Sequence, residues 1–240
     1  DGLAEFLQTH RIDAVVLQST WQAHQKTLRF FAHSPDWWLV HVENEHSLFV
    51  RRPTVDAESL TFKELSQVPV SYDPAATLSA NRAGLQAELQ QLQGIGGAEL
   101  IIAWNRAVLA IEPVLRRQGL DGMSRSVGKD RVQALAKAHK LMSQVAGRVR
   151  DVPTLQLLYA LVSAHVCDLN AAELALRRGT MTVSSRQSLF TSQEIALRRG
   201  DAAAVQTFVG NARAALRGEP DAWVSALQAD LRVDDLRCDR

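Results

Sequence analysis

The sequence of 240 residues has only two cysteines, and its formal net charge is only +1. Two cysteines in a chain of this length cannot form the disulfide framework of a small secreted domain, and no zinc-ligand spacing occurs. We interpret Cys167, which lies in an apolar helical stretch, as a buried thiol, and Cys238 lies in a charged segment. The near-zero net charge gives no general argument for binding to nucleic acid or to a charged membrane surface.

Long apolar runs are also absent, since none approaches the roughly 20 residues that a membrane-spanning helix needs. The first residues carry no secretory signal pattern, and the sequence begins at Asp1 rather than at a methionine. We therefore expect a trimmed piece of a longer protein, from which an upstream export signal or membrane region has been removed.

The motifs of common catalytic and nucleotide-binding sites are missing as well. The stretch GIGG at 94–97 is not G-x-G-x-x-G, follows a helix and has no Walker lysine after it, so it predicts a helix break. No nucleophile elbow occurs, and His165 and Cys167 are two positions apart, which places them on different faces of a helix. We predict no catalytic residue, no metal ligand and no cofactor in this chain.

Residues 1–55 alternate between helix-like and strand-like patterns, which predict a small α/β domain. We expect a short helix, a strand buried on both faces, a second helix capped by Ser19 or Thr20 and ended by Pro35, and a hairpin that turns at Asn44. The predicted elements are helix 2–10, strand 14–17, helix 21–33, and strands 37–42 and 47–51.

The sequence changes character across a proline-containing connector, residues 56–74, and then becomes rich in Ala, Leu, Gln and Arg. Apolar residues at helical spacing predict a helical domain over residues 75–240, in which antiparallel hairpins form an array or a bundle. The predicted fold class is therefore α+β, mostly α. The predicted segments are a short helix 58–65, helices 75–92 and 98–118, a loop 119–128, and helices 130–149, 154–167, 171–178 (capped by Asn170, ended by Gly179), 186–199 (capped by Ser184 or Ser185, ended by Gly200), 201–216 and 220–231.

A short internal repeat lies in this helical part, where ELALRRG at 173–179 recurs as EIALRRG at 194–200. The second copy runs into GDAAAV at 200–205, which resembles the turn and second helix of tetratricopeptide repeats. That repeat has a period of about 34 residues, whereas the two copies here are offset by 21 residues. A degenerate tetratricopeptide-like array and an irregular helical bundle are both compatible with this pattern.

The hairpin contains the most polar candidates for a site. The hexapeptide HVENEH at 41–46 could bind a metal, but His41 and His46 fall on opposite sides of the turn without a third ligand, so we favour a polar turn. Trp37 and Trp38 begin a strand, so one ring faces inward. The outward ring could stack on a sugar or touch a bilayer interface, although packing under a neighbouring helix is the alternative.

Two arginine pairs are further candidates for ligand binding. Arg177 and Arg178 end one predicted helix, and Arg198 and Arg199 end another. At these positions they stabilise the helix dipole by about 0.3–1 kcal/mol each, which is a sufficient role. The functional alternative is an anion site for phosphate or lipid head groups.

The beginning of the chain resembles a known family over residues 3–52. The order of short helix, hydrophobic strand, helix, SPDWxLV, acidic turn and xLFVRR is similar to the soluble segment that follows the last transmembrane helix of bacterial GT-C-type glycosyltransferases. These membrane enzymes resemble the dolichyl-phosphate-mannose-protein mannosyltransferases. The resemblance implies that the catalytic acids lie in the membrane part of the protein, so none is assigned to this chain. The matching residues are Phe6, Leu7, 12–17 (IDAVVL), 34–40 (SPDWWLV) and 48–52 (LFVRR).

The leading functional hypothesis is therefore a non-catalytic domain of a polytopic bacterial membrane protein, on the periplasmic side of the inner membrane. The resemblance implies a parent enzyme that transfers a sugar from a lipid-linked donor, while this domain binds a glycan acceptor or a protein partner. A free-standing, cytoplasmic helical scaffold for protein–protein interaction is the alternative, and a small soluble metal-using enzyme is a third hypothesis. We expect no nucleic-acid partner.

Overall fold

The fold is mostly α-helical with one small antiparallel sheet, which confirms the predicted α+β class. The computed structural model describes residues 2–52, 65–118, 129–180, 186–207 and 238. The chain divides into two compact units, Asp1–Asn105 and Arg106–Arg240. The division falls inside one helix, so the first unit takes in helices that the sequence analysis assigned to the helical domain.

The first unit begins with the predicted order of helix, strand, helix and hairpin. The sheet order is β1-β3-β2, and both strand pairs are antiparallel. The central position therefore belongs to the last of the three strands. The elements are α1 (Gly2–Thr9), β1 (Ala14–Gln18), a 3-10 turn (Gln22–His24), α2 (Gln25–His33), β2 (Trp37–Val42) and β3 (His46–Arg51).

β1 is an edge strand that is covered on one face only. Val16 is 62% exposed, whereas its neighbour Leu17 is buried. The prediction of a strand buried on both faces is therefore wrong, because α2 packs on one face of the sheet and side chains alternate along a strand. On the covered face Phe31 of α2 stacks on Phe49 at 5.3 Å and meets Trp37 edge-on at 4.8 Å between ring centroids.

The entry into α2 also differs from the prediction. The helix begins after His24, which makes no side-chain cap hydrogen bond. Ser19 is buried and its hydroxyl bonds to the Ser47 hydroxyl at 2.9 Å, while Gln25 Nε2 donates to the Ser19 carbonyl at 2.7 Å. Ser19 therefore joins β1 to β3 and caps no helix, and α2 ends at His33, directly before the Ser34-Pro35 pair, as predicted.

A buried extended segment leads into the helices of the first unit. Residues 65–73, expected to be part of a connector, include four buried hydrophobic side chains: Leu65, Val68, Val70 and Tyr72. The single helix predicted over 75–92 is two helices, α3 (Pro74–Ser79) and α4 (Arg82–Ile95). Asn81 separates them, because its side chain accepts hydrogen bonds from the Ala83 and Gly84 amides and so starts a new helix.

The predicted break at the glycine-rich stretch 94–97 is confirmed. α4 ends at Ile95, and Gly96 and Gly97 have φ values of +82° and +77°, which glycine adopts without strain. The next helix, α5 (Glu99–Gln118), crosses the division between the two units. The predicted short helix 58–65 and the predicted loop 119–128 lie wholly or mainly outside the described residues.

The second unit is organised around one buried helix. α7 packs against α6, α8 and α9, and almost all of its residues are buried. Residues 202–207 are also helical. The four helices are α6 (Lys129–Ala146), α7 (Pro153–His165), α8 (Leu169–Thr180) and α9 (Arg186–Arg199).

The predicted cap and the predicted end of α8 are wrong, whereas the predicted end of α9 is confirmed. Asp168, not Asn170, caps α8, since its carboxylate accepts from the Ala171 amide at 3.2 Å. Gly179 lies inside α8 and does not end it. The helix approaches α7 closely at this position, since a Cβ here would lie 2.7 Å from Leu157 Cγ. α9 ends before Gly200, which has a φ of +73°. The predicted caps at 184 and 185 and the predicted helical residues from 208 onwards lie outside the described part of the chain.

The two cysteines form a disulfide, so the prediction of a buried thiol at position 167 is wrong. Cys167 and Cys238 have Cα atoms 5.5 Å apart, although they are separated by 71 positions in the sequence. Cys167 follows the end of α7 in a left-handed conformation, with a φ of +65°, and it is exposed. The helix ends before this position, and its side chain therefore leaves the apolar face that the sequence pattern suggested.

Among the described helices, none combines the length and the hydrophobicity that crossing a bilayer requires.

Candidate functional site

A cleft of about 770 Å³ lies in the first unit. It runs between α2, the start of β2, the extended segment 65–71 and α3. The volume falls within the range of roughly 300–1,000 Å³ that is typical of small-molecule sites. The cleft is therefore the candidate binding site among the residues that the structure describes.

The floor of the cleft is apolar. It contains Leu28 and Phe31 from α2 and Trp37 and Leu39 from β2, all of which are buried. Trp37 packs edge-on against Phe31, and the Arg51 guanidinium lies 5.4 Å from the centroid of the Trp37 ring. These contacts hold the Trp37 ring in place beneath the cleft.

One wall of the cleft is held by a single carboxylate. The Glu88 side chain of α4 accepts hydrogen bonds from the backbone amides of Ser66, Gln67 and Val68, each at 2.9 Å. Successive amides that converge on one anion form a nest, and hydrogen bonds to a charged group are the stronger kind. The segment 66–68 lines the cleft, so Glu88 fixes the shape of this wall from outside.

Gln67 is held from a second side. Its side-chain oxygen accepts from the Asn81 amide at 3.0 Å, at the start of α4. The side chain crosses Gly84 so closely that a Cβ there would lie 2.8 Å from Gln67 Cγ. The wall and α4 are thus joined at both Glu88 and Gln67.

The rim of the cleft is polar. Arg29 of α2 donates to Asp73 at 3.1 Å, and Asp73 also caps α3 by accepting from the Ala75 amide at 3.0 Å. The hydroxyls of Ser66 and Ser79 donate to Glu88 and to the Ala76 carbonyl. Charged, hydroxyl and backbone groups therefore surround an aromatic floor, which suits binding of a polar ligand with an apolar face.

The two predicted tryptophans lie on opposite faces of β2. Trp37 is 6% exposed and lines the cleft. Trp38 is half-buried on the other face, where the Arg52 guanidinium lies 5.4 Å from its ring centroid. The cleft therefore contains one of the two predicted rings, and the ligand-binding role of both remains a prediction.

The predicted arginines all lie in the second unit, at the ends of α8 and α9. Arg177 is exposed, while Arg178 donates to the Ala146 carbonyl at 3.4 Å. Arg199 forms an ion pair with Glu173, and Arg198 donates to Glu194 at 2.9 Å. The two copies of the short internal repeat are thus linked, because Glu173 begins one copy and Arg199 belongs to the other. The anion-binding role of these arginines stays a prediction.

A buried polar cluster joins α7 to α9, and the sequence analysis missed it. Arg198 lies within hydrogen-bond distance of both Glu194 Oε1 (2.9 Å) and His165 Nδ1 (3.1 Å). His165 Nε2 lies 3.8 Å from Glu194 Oε1 and makes no hydrogen bond. Burial lowers the pKa of His165, Glu194 acts in the opposite direction, and Arg198 lowers it further. The spacing of four residues indicates the Glu194–Arg198 pair, but no local signal points to His165.

This cluster is closed to ligands. The His165 side chain is fully buried, and those of Glu194 and Arg198 are 7% and 11% exposed. Chemistry on an external substrate needs an open path to the reacting groups, which these exposures do not provide. We interpret the cluster as structural.

The histidines of the hairpin do not converge on a metal-binding geometry. His41 Nε2 lies 3.3 Å from Glu43 Oε1, and His46 is exposed at the start of β3. Within the ranges that the structure describes, no group of three or more His, Cys, Asp or Glu side chains is placed to hold a metal ion.

Comparison of the chain with protein-family models, curated proteins and solved structures finds no match. The function is therefore inferred from the geometry of the chain and from the resemblance described above.

Proposed function

We propose that this chain is a non-catalytic ligand-binding domain of an exported bacterial membrane protein, and that the cleft of the first unit binds a sugar-containing ligand. The observation that carries the proposal is the cleft itself, with an apolar floor that includes Trp37 and polar groups on its rim. The resemblance over residues 3–52 supports a parent enzyme that transfers a sugar from a lipid-linked donor.

The composition of the cleft favours a sugar over a wholly apolar ligand. A sugar presents apolar C–H groups, and hydroxyls that exchange hydrogen bonds with polar side chains. The lining offers the apolar floor of the cleft to the C–H groups, and Arg29, Gln67 and Asp73 to the hydroxyls. Because Glu88 and the α4 contacts hold the wall in place, little ordering would be needed on binding.

The disulfide supports the exported location. Disulfides persist in oxidising compartments such as the bacterial periplasm and are rare in the cytosol. The Cys167–Cys238 bond therefore favours the periplasmic side of the membrane over the cytoplasmic alternative. No nucleic-acid partner enters this proposal.

The binding site is tested by titrating a panel of neutral and acidic mono- and oligosaccharides into the ¹⁵N-labelled chain. We expect at least one sugar to shift the amide signals of Ser66, Gln67 and Val68. The variant Ala76→Trp fills the cleft and should weaken that binding at least tenfold. Ala87→Trp, on the exposed side of α4 and outside the cleft, is the matched control and should bind normally. If no sugar shifts these signals, or if both variants bind equally well, the cleft is not a sugar site.

The compartment is tested in the bacterial host with the full-length protein. Reporters that are active only outside or only inside the cytoplasm are fused after Arg240, and the membrane and soluble fractions are assayed. We expect the outside reporter to be active in the membrane fraction. Activity of the inside reporter in the soluble fraction would overturn the exported location and would favour a free-standing cytoplasmic scaffold for protein–protein interaction.

A further inference from the structure

Cys238 is fastened to the second unit at two points. Its Sγ is bonded to that of Cys167, directly after the end of α7. Its backbone amide donates to the Arg198 carbonyl at 3.0 Å, in the last turn of α9. One residue therefore bridges the ends of two helices, and its own attachment includes a bond that can be reduced.

The disulfide is accessible where it meets α7. Cys167 is exposed, and Cys238 is partly exposed. An attacking thiol must reach one sulfur along the S–S axis, so access decides whether a disulfide can be exchanged in the folded protein. Cys167 is the more exposed of the two residues, so its sulfur is the expected point of attack.

Each helix end is also held without the disulfide. After α7 the Cys167 amide donates to the Ala164 carbonyl at 3.0 Å, and the Asp168 amide donates to the Ser163 carbonyl at 2.9 Å. After α9 the amide of Gly200 donates to the Leu197 carbonyl at 3.0 Å. Backbone bonds of this kind close the last turn of a helix on their own.

The two helices are also joined by side chains that the disulfide does not involve. Arg198 links Glu194 of α9 to His165 of α7, and α7 and α9 pack directly against each other. Breaking the S–S bond removes neither contact. The consequence of reduction should therefore be local and confined to the attachment of Cys238.

We propose that the Cys167–Cys238 disulfide is a reducible clip, which fastens the chain at Cys238 to the ends of α7 and α9 and releases it without unfolding the helices. A dithiol reductant attacks the Cys167 sulfur, the S–S bond breaks, and Cys238 leaves as a thiolate that takes up a proton. The second thiol of the reductant then displaces Cys167 and becomes oxidised with the first. Two electrons and two protons pass from the reductant to the two cysteines.

The proposal is tested on the whole chain by adding dithiothreitol under native conditions. Thiol labelling and mass spectrometry follow reduction, and hydrogen–deuterium exchange follows the backbone amides. We expect complete reduction without denaturant, at least tenfold faster exchange at the amide of Cys238, which donates to the Arg198 carbonyl, and unchanged exchange at Gly200, inside α7 and throughout the first unit. The helical circular dichroism signal should be retained.

Single variants separate loss of the bond from loss of a particular side chain. Cys238→Ser and Cys167→Ser should each reproduce the exchange pattern of the reduced protein, although each leaves a different cysteine in place. Reduction that needs denaturant, or exchange that accelerates throughout the second unit, would show that the fold of this unit requires the disulfide. Either result would overturn the proposal. Two labelled thiols before any reductant is added would also overturn it, as would unchanged exchange at the Cys238 amide after reduction.

Discussion

Arg198 Nη2 lies 3.1 Å from His165 Nδ1, and this contact joins the last residue of α7 to the last turn of α9. A guanidinium group only donates hydrogen bonds, so the imidazole accepts at Nδ1 and, when neutral, carries its proton on Nε2. The same arginine donates to Glu194 at 2.9 Å. The arrangement therefore requires a neutral imidazole and a charged arginine–glutamate pair in a nearly closed environment.

The stability of the second unit should fall as the pH drops below about 6.5. Burial is the main cause that lowers the pKa of His165 from its usual 6.5, so the unfolded chain binds a proton more readily than the folded one. The contribution of the neutral form is fully present above pH 6.5 and is lost as the pH falls toward the folded pKa. For one group the slope of the unfolding free energy cannot exceed about 1.4 kcal/mol per pH unit.

This pH dependence is measured by urea unfolding of the wild type and of His165→Gln between pH 5 and pH 8. The variant has no imidazole at this position, so its free energy of unfolding should change less with pH than that of the wild type. Parallel pH profiles for the two proteins would show that His165 does not titrate differently in the folded and unfolded states.

Removal of Arg198 should destabilise the protein strongly, whereas removal of its neighbour should not. Arg198→Met leaves Glu194 buried without its partner, which typically costs about 3–5 kcal/mol. Arg199→Met is the matched control, because the Arg199 side chain is 43% exposed and such pairs contribute at most about 1 kcal/mol. Urea unfolding at pH 7.5 measures both values. Similar losses in the two variants would contradict the structural role given to the Arg198 cluster.

The wall of the cleft should depend on Glu88. Glu88→Ala leaves three backbone amides of residues 66–68 without their acceptor and should lower the unfolding free energy by about 2–3 kcal/mol. Because the truncated site is an empty nest of amides, formate should restore part of the lost stability in a concentration-dependent manner. Thermal unfolding in sodium formate and in sodium chloride at equal ionic strength measures the rescue.

Gln90→Ala, at an exposed position of α4, is the control for that experiment. It should neither destabilise the protein comparably nor respond to formate. If formate stabilises the Glu88 and Gln90 variants equally, the stabilisation is a non-specific salt effect. The amides of residues 66–68 then do not bind formate.

The close approach of α8 to α7 should make substitution of Gly179 destabilising. A Cβ at this position would lie 2.7 Å from Leu157 Cγ and 2.8 Å from its Cδ2, so Gly179→Ala should cost roughly 1–2 kcal/mol despite the higher helix propensity of alanine. Gly94→Ala lies in α4 with nothing within 4 Å and should instead stabilise by up to about 1 kcal/mol. Thermal and urea unfolding measure whether each variant is more or less stable than the wild type. Stabilisation by Gly179→Ala would contradict the packing of these helices.

The elements of the first 52 residues could be predicted because their signals are local. Alternation of apolar residues, the proline after His33 and the turn at Asn44 predict the hairpin, and β2 matches its predicted bounds. Burial of β1 could not be predicted in the same way. A run of apolar residues indicates a strand, but whether it lies at the centre or the edge depends on the sheet order, which places β3 in the middle.

Candidate site residues were predictable only where one residue type suggested a role. The tryptophan pair led to Trp37 in the floor of the cleft, but nothing in the sequence distinguishes Glu88 from other acidic residues on amphipathic helices. Its importance comes from three amides that lie about 20 positions earlier in the chain. Residues 65–73 were assigned to the connector because of its prolines, although the alternation of Val68, Val70 and Tyr72 is a local signal for a buried extended segment.

The sequence by itself determined the fold class, the order of the first elements and the helix ends before Gly96 and Gly200, because periodicity, turn residues and glycine act within a few positions of the chain. Only the tertiary structure decided the edge position of β1, the contact between His165 and Arg198 across 33 positions, and the disulfide across 71 positions. Local patterns indicate which face of a helix or strand is apolar. Which distant element covers that face depends on packing of the whole unit, and no short stretch of sequence contains that information.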